Sequence, residues 1–99
     1  MIRHVITWKL NGETRDDRLA QAAEIKARLE GLTPIIPEIL SLHVGIDRTE
    51  VDGQFDAVLI SDHADISGLR AYQAHPDHLV VAAYVREQVS VRGCVDYEV

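Results

Sequence analysis

The chain has 99 residues and a formal net charge of −6, with 46% hydrophobic and 26% charged residues. This length suits one domain with a single core, and the composition is that of a folded protein rather than a disordered one. The negative charge argues against binding to nucleic acid or to an anionic membrane surface, because both require a basic face.

The cellular context follows from what the chain contains. No run approaches the ~20 apolar residues of a membrane span, and the N-terminus lacks the apolar region of a signal peptide. The single cysteine, Cys94, excludes an internal disulfide and fits a reducing compartment. We therefore expect a cytoplasmic protein in which Cys94 is a small buried apolar residue and not a nucleophile.

The first half of the chain switches from strand to helix and back. Residues 2–10 alternate apolar and polar side chains, which predicts a strand that ends at Asn11-Gly12. Residues 16–32 carry apolar side chains three or four positions apart, which predicts an amphipathic helix stopped by the prolines that follow. Alternation over residues 40–46 predicts a second strand, and the polar stretch 47–53 predicts a turn.

The second half repeats this order. The apolar run 55–60 predicts a strand covered on both faces. Asp65 can cap a helix that begins just after it. His75-Pro76 interrupts this helix and restarts it, because proline suits a first helical turn and disfavours helical geometry in the residue before it. Residues 91–99 predict a last strand.

The element order β-α-β-β-α-β predicts a ferredoxin-like α+β fold, with a four-stranded antiparallel sheet covered on one face by helices. The open face would carry Val5 and Thr7 from the first strand, with either Val58 and Ile60 or Ala57 and Leu59 from the third. Both sets contain large apolar side chains, and an apolar sheet face must be covered. We expect a second copy of the chain to cover it, forming a homodimeric eight-stranded α/β barrel.

Two residues of the first strand invite attention. His4 falls within the alternating apolar set, so it is either a core histidine with a hydrogen-bond partner or a residue that lines a pocket. Trp8 is expected in the core or the interface, with stacking against a ligand as the alternative. His43 and His63 are predicted to be surface or interface residues.

The most distinctive segment is His75-Pro76-Asp77-His78. Its two histidines do not predict a metal site, because Pro76 disturbs their spacing and no cysteine or acidic residue completes a ligand set. His75 is predicted to cap the restarted helix. His78 can reach toward the sheet, where Asp96 of the last strand would orient it as a general base. Tyr72 would supply a hydroxyl that polarises a carbonyl.

The chain resembles the stress-responsive dimeric α/β-barrel (Dabb) family over its whole length. The residues that carry the resemblance are Met1-Ile2-Arg3-His4-Val5, the stretch from Ile36-Pro37 to Ser41-Leu42-His43-Val44-Gly45, the segment Tyr72-Gln73-Ala74-His75-Pro76-Asp77-His78, and Val95-Asp96-Tyr97-Glu98. The resemblance implies a ferredoxin-like protomer, a homodimer formed through the sheet faces, and a cavity between the sheet and the helices.

The resemblance also implies a site. In a plant polyketide cyclase of this family a tyrosine and a histidine drive an aldol-type ring closure, and the matching residues are Tyr72 and His78. Asp96 matches the aspartate that holds the catalytic histidine. His4 matches a cavity-lining histidine of the first strand, and His75 matches the other histidine of the motif, so the resemblance implies that both line the cavity.

Two features depart from simple expectation. The cyclase has a further cavity histidine on its third strand, where this chain has Ala57, which argues against a polyketide ligand. Alternation would turn Val95 and Tyr97 toward the helices, whereas the family pattern turns Asp96 and Cys94 that way. We follow the family pattern, which places Val95 and Tyr97 at the dimer face.

Two functions remain open. One is a cofactor-free enzyme in which His78 removes a proton next to a carbonyl and Tyr72 binds the enolate oxygen, giving cyclisation, isomerisation or carbon–carbon cleavage, with cofactor-free oxygenation as a variant. The other is a non-catalytic dimer that binds a small apolar or aromatic molecule or serves a stress response. An enzyme requires an open cavity, whereas a structural protein would fill it with Ile6, Trp8, Leu59 and Leu69. A structural metal ion near the dimer interface fits either function, and the sequence does not locate one.

Overall fold

The computed structural model describes all 99 residues and contains four strands and three helices. In chain order these are β1 (Ile2–Leu10), α1 (Arg15–Glu30), β2 (Ser41–Ile46), β3 (Ala57–His63), α2 (Ile66–Ala74), α3 (Pro76–Gln88) and β4 (Val89–Glu98). The strands form one antiparallel sheet in the order β2-β3-β1-β4. The predicted ferredoxin-like α+β fold is confirmed.

Local sequence signals explain where the helices begin. Thr14 and Asp17 form a reciprocal capping box at the start of α1, since each side chain accepts a hydrogen bond from the other's backbone N–H. Asp65 caps α2 by accepting from the Gly68 N–H at 2.7 Å. Pro76 opens α3 in the first turn, where its missing N–H leaves no hydrogen bond unmade.

The core lies between the helices and one face of the sheet. Alternate side chains of β1 are buried there, namely those of Ile2, His4, Ile6, Trp8 and Leu10. Ile25 and Leu29 of α1 pack into the same cluster. Pairing of β1 with β3 places Leu59 beside Ile6, so the predicted alternation accounts for the core.

The opposite face of the sheet has no covering layer within the chain. Val5 at its centre lies opposite Ile60 of β3 and Val95 of β4. The Val95 side chain is 62% exposed and Tyr97 is 44% exposed, and both belong to this face. We call it the open face, and it carries the Val58–Ile60 set rather than the Ala57–Leu59 set. No helix of the chain combines the length and apolar character that a bilayer crossing demands.

Strand β4 follows the family pattern rather than simple alternation. Its register pairs His4 with Asp96 and Ile6 with Cys94, so Asp96 and Cys94 share the helix-covered side. Cys94 is nevertheless exposed, because β4 is an edge strand. The expectation that Cys94 is a buried apolar residue is therefore wrong.

Candidate active site

A cavity of about 700 Å³ opens between the sheet and α3. This volume lies within the ~300–1,000 Å³ typical of small-molecule sites. Most of its wall is apolar, and the lining includes Ile6, Trp8, Leu29, Leu59, Leu79, Ala82, Val85 and Val89. Ile6, Trp8 and Leu59 therefore border an open space and do not fill it.

His78 lies in the first turn of α3 and lines this cavity. Its Nδ1 is 3.0 Å from the Gln73 carbonyl oxygen, which can only accept, so Nδ1 carries the proton and Nε2 carries the lone pair. Burial lowers the pKa of His78, the Gln73 carbonyl opposes this, and the charges of His4, Arg86 and His75 lower it further. The imidazole is thus held neutral and able to act as a base.

Asp96 does not line the cavity but makes a short polar contact with His4, which does. Nδ1 of His4 lies 2.5 Å from Oδ1 of Asp96, and His4 is 2% exposed. The prediction that Asp96 orients His78 is wrong. The strand register places Asp96 directly beside His4, whereas His78 belongs to α3 and is bonded to the Gln73 carbonyl.

Tyr72 lies in the middle of a group of histidine rings. Its ring centroid is 4.4 Å from that of His78, 4.9 Å from that of His63 and 6.5 Å from that of His4. The hydroxyl is buried and has no hydrogen-bond partner. Burial raises the pKa of Tyr72 to about 12, so the hydroxyl stays protonated and can donate.

His63 is completely buried, so the prediction of a surface or interface position is wrong. Nδ1 donates to the Glu38 carbonyl at 2.9 Å, and Nε2 lies 2.9 Å from the Ser61 hydroxyl. Burial lowers the pKa of His63. The signal missed in the sequence was that the alternation through Ala57 and Leu59 continues to Ser61 and His63. His43, in contrast, is exposed as expected.

His75 does not line the cavity, contrary to what the family motif implies. It occupies the N-cap of α3, where its Nδ1 accepts a hydrogen bond from the Asp77 N–H at 3.1 Å. The His75 side chain is therefore hydrogen-bonded to the start of its own helix, as the capping interpretation predicted. His75 and His78 consequently have separate environments.

The three side chains best suited to a metal ion are His4, Cys94 and Asp96, a set that the sequence did not suggest. The Cys94 Sγ lies 3.8 Å from His4 Nδ1 and 3.7 Å from Asp96 Oδ1. An ion bound to both His4 and Asp96 would hold their ligand atoms roughly 3.3 Å apart, whereas a direct hydrogen bond joins them at 2.5 Å. Burial and Asp96 raise the pKa of the Cys94 thiol, so it is not an activated nucleophile.

Two arginines, Arg86 of α3 and Arg92 of β4, complete the polar part of the wall together with Gln73 and Ser90. The sequence analysis did not single them out. Both positions belong to ordinary polar patterns, and only the fold shows that they border the same cavity as His78.

Comparison with protein families agrees with this architecture. A family model described as the stress responsive A/B barrel domain matches residues 2–99. The chain belongs to the stress-responsive A/B barrel domain family. No match was found among curated proteins.

Solved structures similar to this stress-responsive A/B barrel domain span nearly its whole length. A dimeric ferredoxin-like protein from Bacteroides fragilis NCTC 9343 has a TM-score of 0.88 at 24% identity, covering 99% of this chain and 95% of its own. A dimeric ferredoxin-like protein from Thermobifida fusca YX has a TM-score of 0.83 at 28% identity, covering 99% and 90%. A hydroxynitrile lyase from Passiflora edulis has a TM-score of 0.82 at 18% identity, covering 99% and 92%.

Proposed function

We propose that this stress-responsive A/B barrel domain is a homodimeric, cofactor-free acid–base enzyme that acts on a small carbonyl compound in the cavity. The observation that carries this proposal is the pairing of two cavity histidines with fixed tautomers. Nδ1 of His78 donates to the Gln73 carbonyl and Nδ1 of His4 donates to Asp96. Each histidine therefore keeps Nε2 for a ligand, within a wall that is otherwise mostly apolar.

In this proposal the neutral His78 removes a proton from the carbon next to the substrate carbonyl. The electron pair of that C–H bond moves onto the carbonyl oxygen and forms an enolate. The Tyr72 hydroxyl, which is buried beside the cavity and lacks a protein partner, donates a hydrogen bond to this oxygen after its side chain turns toward the cavity. Protonated His78 then returns the proton to another carbon of the substrate, which completes isomerisation, or to the oxygen of a second carbonyl as the enolate carbon bonds to that carbonyl carbon. Carbon–carbon cleavage is this last step in reverse, with His78 removing the hydroxyl proton and the broken bond supplying the electron pair of the enolate.

Asp96 acts in this proposal through His4 and not through His78. The carboxylate accepts the Nδ1–H of His4 and thereby fixes the orientation and the tautomer of its ring, which leaves Nε2 for a ligand. Asp96 is thus a positioning residue, whereas His78 and Tyr72 are the proposed catalytic residues.

The relatives support this class of reaction in general terms only. The Passiflora edulis protein is a hydroxynitrile lyase, so the fold is compatible with a lyase. Function resides in the site rather than in the fold, and the proposed reaction therefore depends on the histidines and the tyrosine of this chain.

The test is exchange of carbon-bound hydrogen for deuterium in heavy water, followed by mass spectrometry over a panel of small keto and aromatic compounds. We expect His78→Gln to lower the exchange rate by roughly 10²–10⁴-fold, the contribution of positioned acid–base catalysis. His43→Gln is the matched control, because His43 lies on the edge strand β2 and does not line the cavity. Equal rates in wild type and His78→Gln would refute the proposal.

A non-catalytic binding or stress-response dimer is the second candidate. The observation that favours it is the position of Tyr72, which is completely buried among histidine rings and does not border the cavity. Under this alternative the cavity holds a small apolar or aromatic molecule, and no member of the panel shows exchange.

The homodimer is part of the proposal. It is supported by the exposed apolar side chains of the open face and by the dimeric state of the proteins from Bacteroides fragilis and Thermobifida fusca. Pairing of two open faces would bury Val5, Val95 and Tyr97 and close the barrel.

A further inference from the structure

We infer that the substrate of the proposed enzyme carries a carboxylate group, which Arg86 and Arg92 bind at one end of the cavity while its carbonyl faces the histidines. This inference rests on the proposed function, because it identifies the class of compound that the same cavity accepts.

The charge of the cavity is the first argument. Its wall contains Arg86 and Arg92 but no aspartate or glutamate. This is unusual in a chain whose formal net charge is −6. Both arginines are exposed, so a small anion would meet their positive charges as it enters the cavity.

The absence of partners is the second argument. Four other arginines form salt bridges with carboxylates of the chain, namely Arg3, Arg15, Arg18 and Arg28. Arg48, Arg70, Arg86 and Arg92 do not, and of these four only Arg86 and Arg92 border the cavity. Their guanidinium groups thus remain available for an anion, and the planar fork of a guanidinium matches the two oxygens of a carboxylate.

The position of the two arginines relative to His78 is the third argument. Arg86 follows His78 by eight residues on α3, a rise of roughly 12 Å along the helix axis. Helical side chains lean toward the N-terminus, so the guanidinium reaches back toward His78. Arg92 lies across the β1–β4 pair from Trp8, which also borders the cavity. A compound with a carbonyl at one end and a carboxylate at the other would therefore reach from His78 to the two arginines.

A carboxylate fits better than a phosphate. Arg86 lies in the last turn of α3, where the helix dipole is negative and no free backbone N–H groups are available. Phosphate sites typically use the opposite end of a helix. The bound group therefore carries a small negative charge. The two guanidinium groups are sufficient to bind it.

Trp8 provides the measurement, because it is the only tryptophan of the chain and borders the cavity. Its fluorescence is titrated with phenylbutanoate, with the neutral phenylbutanamide and with phenylpropyl phosphate. We expect the carboxylate to bind at least about tenfold more tightly than the amide, and each of Arg86→Gln and Arg92→Gln to remove most of that preference. Arg70→Gln is the matched control, since Arg70 is an exposed arginine of α2 outside the cavity.

The outcomes separate this inference from the proposed function. Equal affinity for acid and amide, no binding by any of the three compounds, stronger binding of the phosphate, or an equal effect of Arg70→Gln would overturn the carboxylate assignment. None of these results depends on turnover, and His78→Gln is expected to retain the preference for the acid. If deuterium exchange occurs only with neutral ketones, the proposed enzymatic activity stands and the carboxylate assignment is refuted.

Discussion

At the scale of single residues, Tyr72 combines burial with an unsatisfied hydroxyl. A buried donor without a partner costs about 1–3 kcal/mol. We therefore expect Tyr72→Phe to raise the free energy of unfolding by about 1 kcal/mol while lowering the rate of the proposed reaction, because the substrate oxygen loses its donor. Urea denaturation and deuterium exchange on the same preparation measure both effects.

The two readings of Tyr72 separate clearly in this experiment. A purely structural tyrosine would change stability and leave exchange untouched. Destabilisation of Tyr72→Phe would mean that the hydroxyl has a partner in the folded protein, and the catalytic role would then lose its main support.

The protonation state of His78 determines how the rate of the proposed reaction depends on pH. A base must be neutral to accept a proton, and burial lowers the pKa of His78 from its usual 6.5. The charged neighbours that reinforce this are His4 across the cavity, Arg86 on the same helix and His75. We expect kcat/KM to be constant near pH 7 and to fall only as the pH drops below 6.5.

The measurement is a pH profile of exchange in wild type and in Arg86→Gln. Removing the Arg86 charge should move the acid limb to higher pH, because protonated His78 is then less disfavoured. An acid limb above pH 6.5 in the wild type would contradict a buried neutral base.

At this scale the sequence predicts most residues of the site, but it does not predict which of them are hydrogen-bonded to each other. Tyr72 and His78 lie in ring contact, and His4 borders the same cavity as His78. The partner of Asp96 was missed because it depends on the register between β1 and β4, which are about ninety residues apart in the chain. No local pattern encodes that register, and alternation alone favoured the opposite face for Asp96.

At the scale of elements, the break between α2 and α3 depends on His75. Its Nδ1 accepts the Asp77 N–H, one of the donors left unpaired at a helix start. We expect His75→Ala to lower the free energy of unfolding by about 1 kcal/mol without a comparable loss of exchange activity.

The control for this prediction is His75→Asn, which keeps a side-chain acceptor suited to the N-cap. It should restore most of the stability in thermal or urea unfolding. If His75→Ala loses exchange activity under conditions in which it is fully folded, His75 would instead belong to the catalytic site.

The order of helices and strands was predictable because the apolar residues of each element recur with a clear period. The residues at which the elements begin and end were less predictable. The helix predicted over residues 16–32 ends at Glu30, although Leu32 beyond it is buried like the residues of the stripe. β3 continues to His63, past the apolar run that predicted it. Its last residues are polar and satisfied by tertiary hydrogen bonds such as that from His63 to the Glu38 carbonyl, which no propensity reveals.

At the scale of the whole molecule, the open face is the surface through which we propose that two copies of the chain assemble. We expect Val95→Asp to convert the proposed dimer to a monomer, because it places a charge at the centre of an apolar interface. Sedimentation or light scattering measures the mass directly. Val80→Asp is the control, since Val80 is 70% exposed on α3, away from the sheet. A monomeric wild type would refute the dimer.

One strand, β4, has two sides with different tasks. Asp96 contacts His4 on one side, and the neighbouring Val95 and Tyr97 belong to the open face on the other. A slip of one residue in the pairing with β1 would exchange these sides, removing the carboxylate from His4 and placing it on the open face. A misfolded chain would thus lose the site and the capacity to assemble in the same step. In the proposed dimer, we therefore expect assembly to select chains in which Asp96 is already aligned with His4.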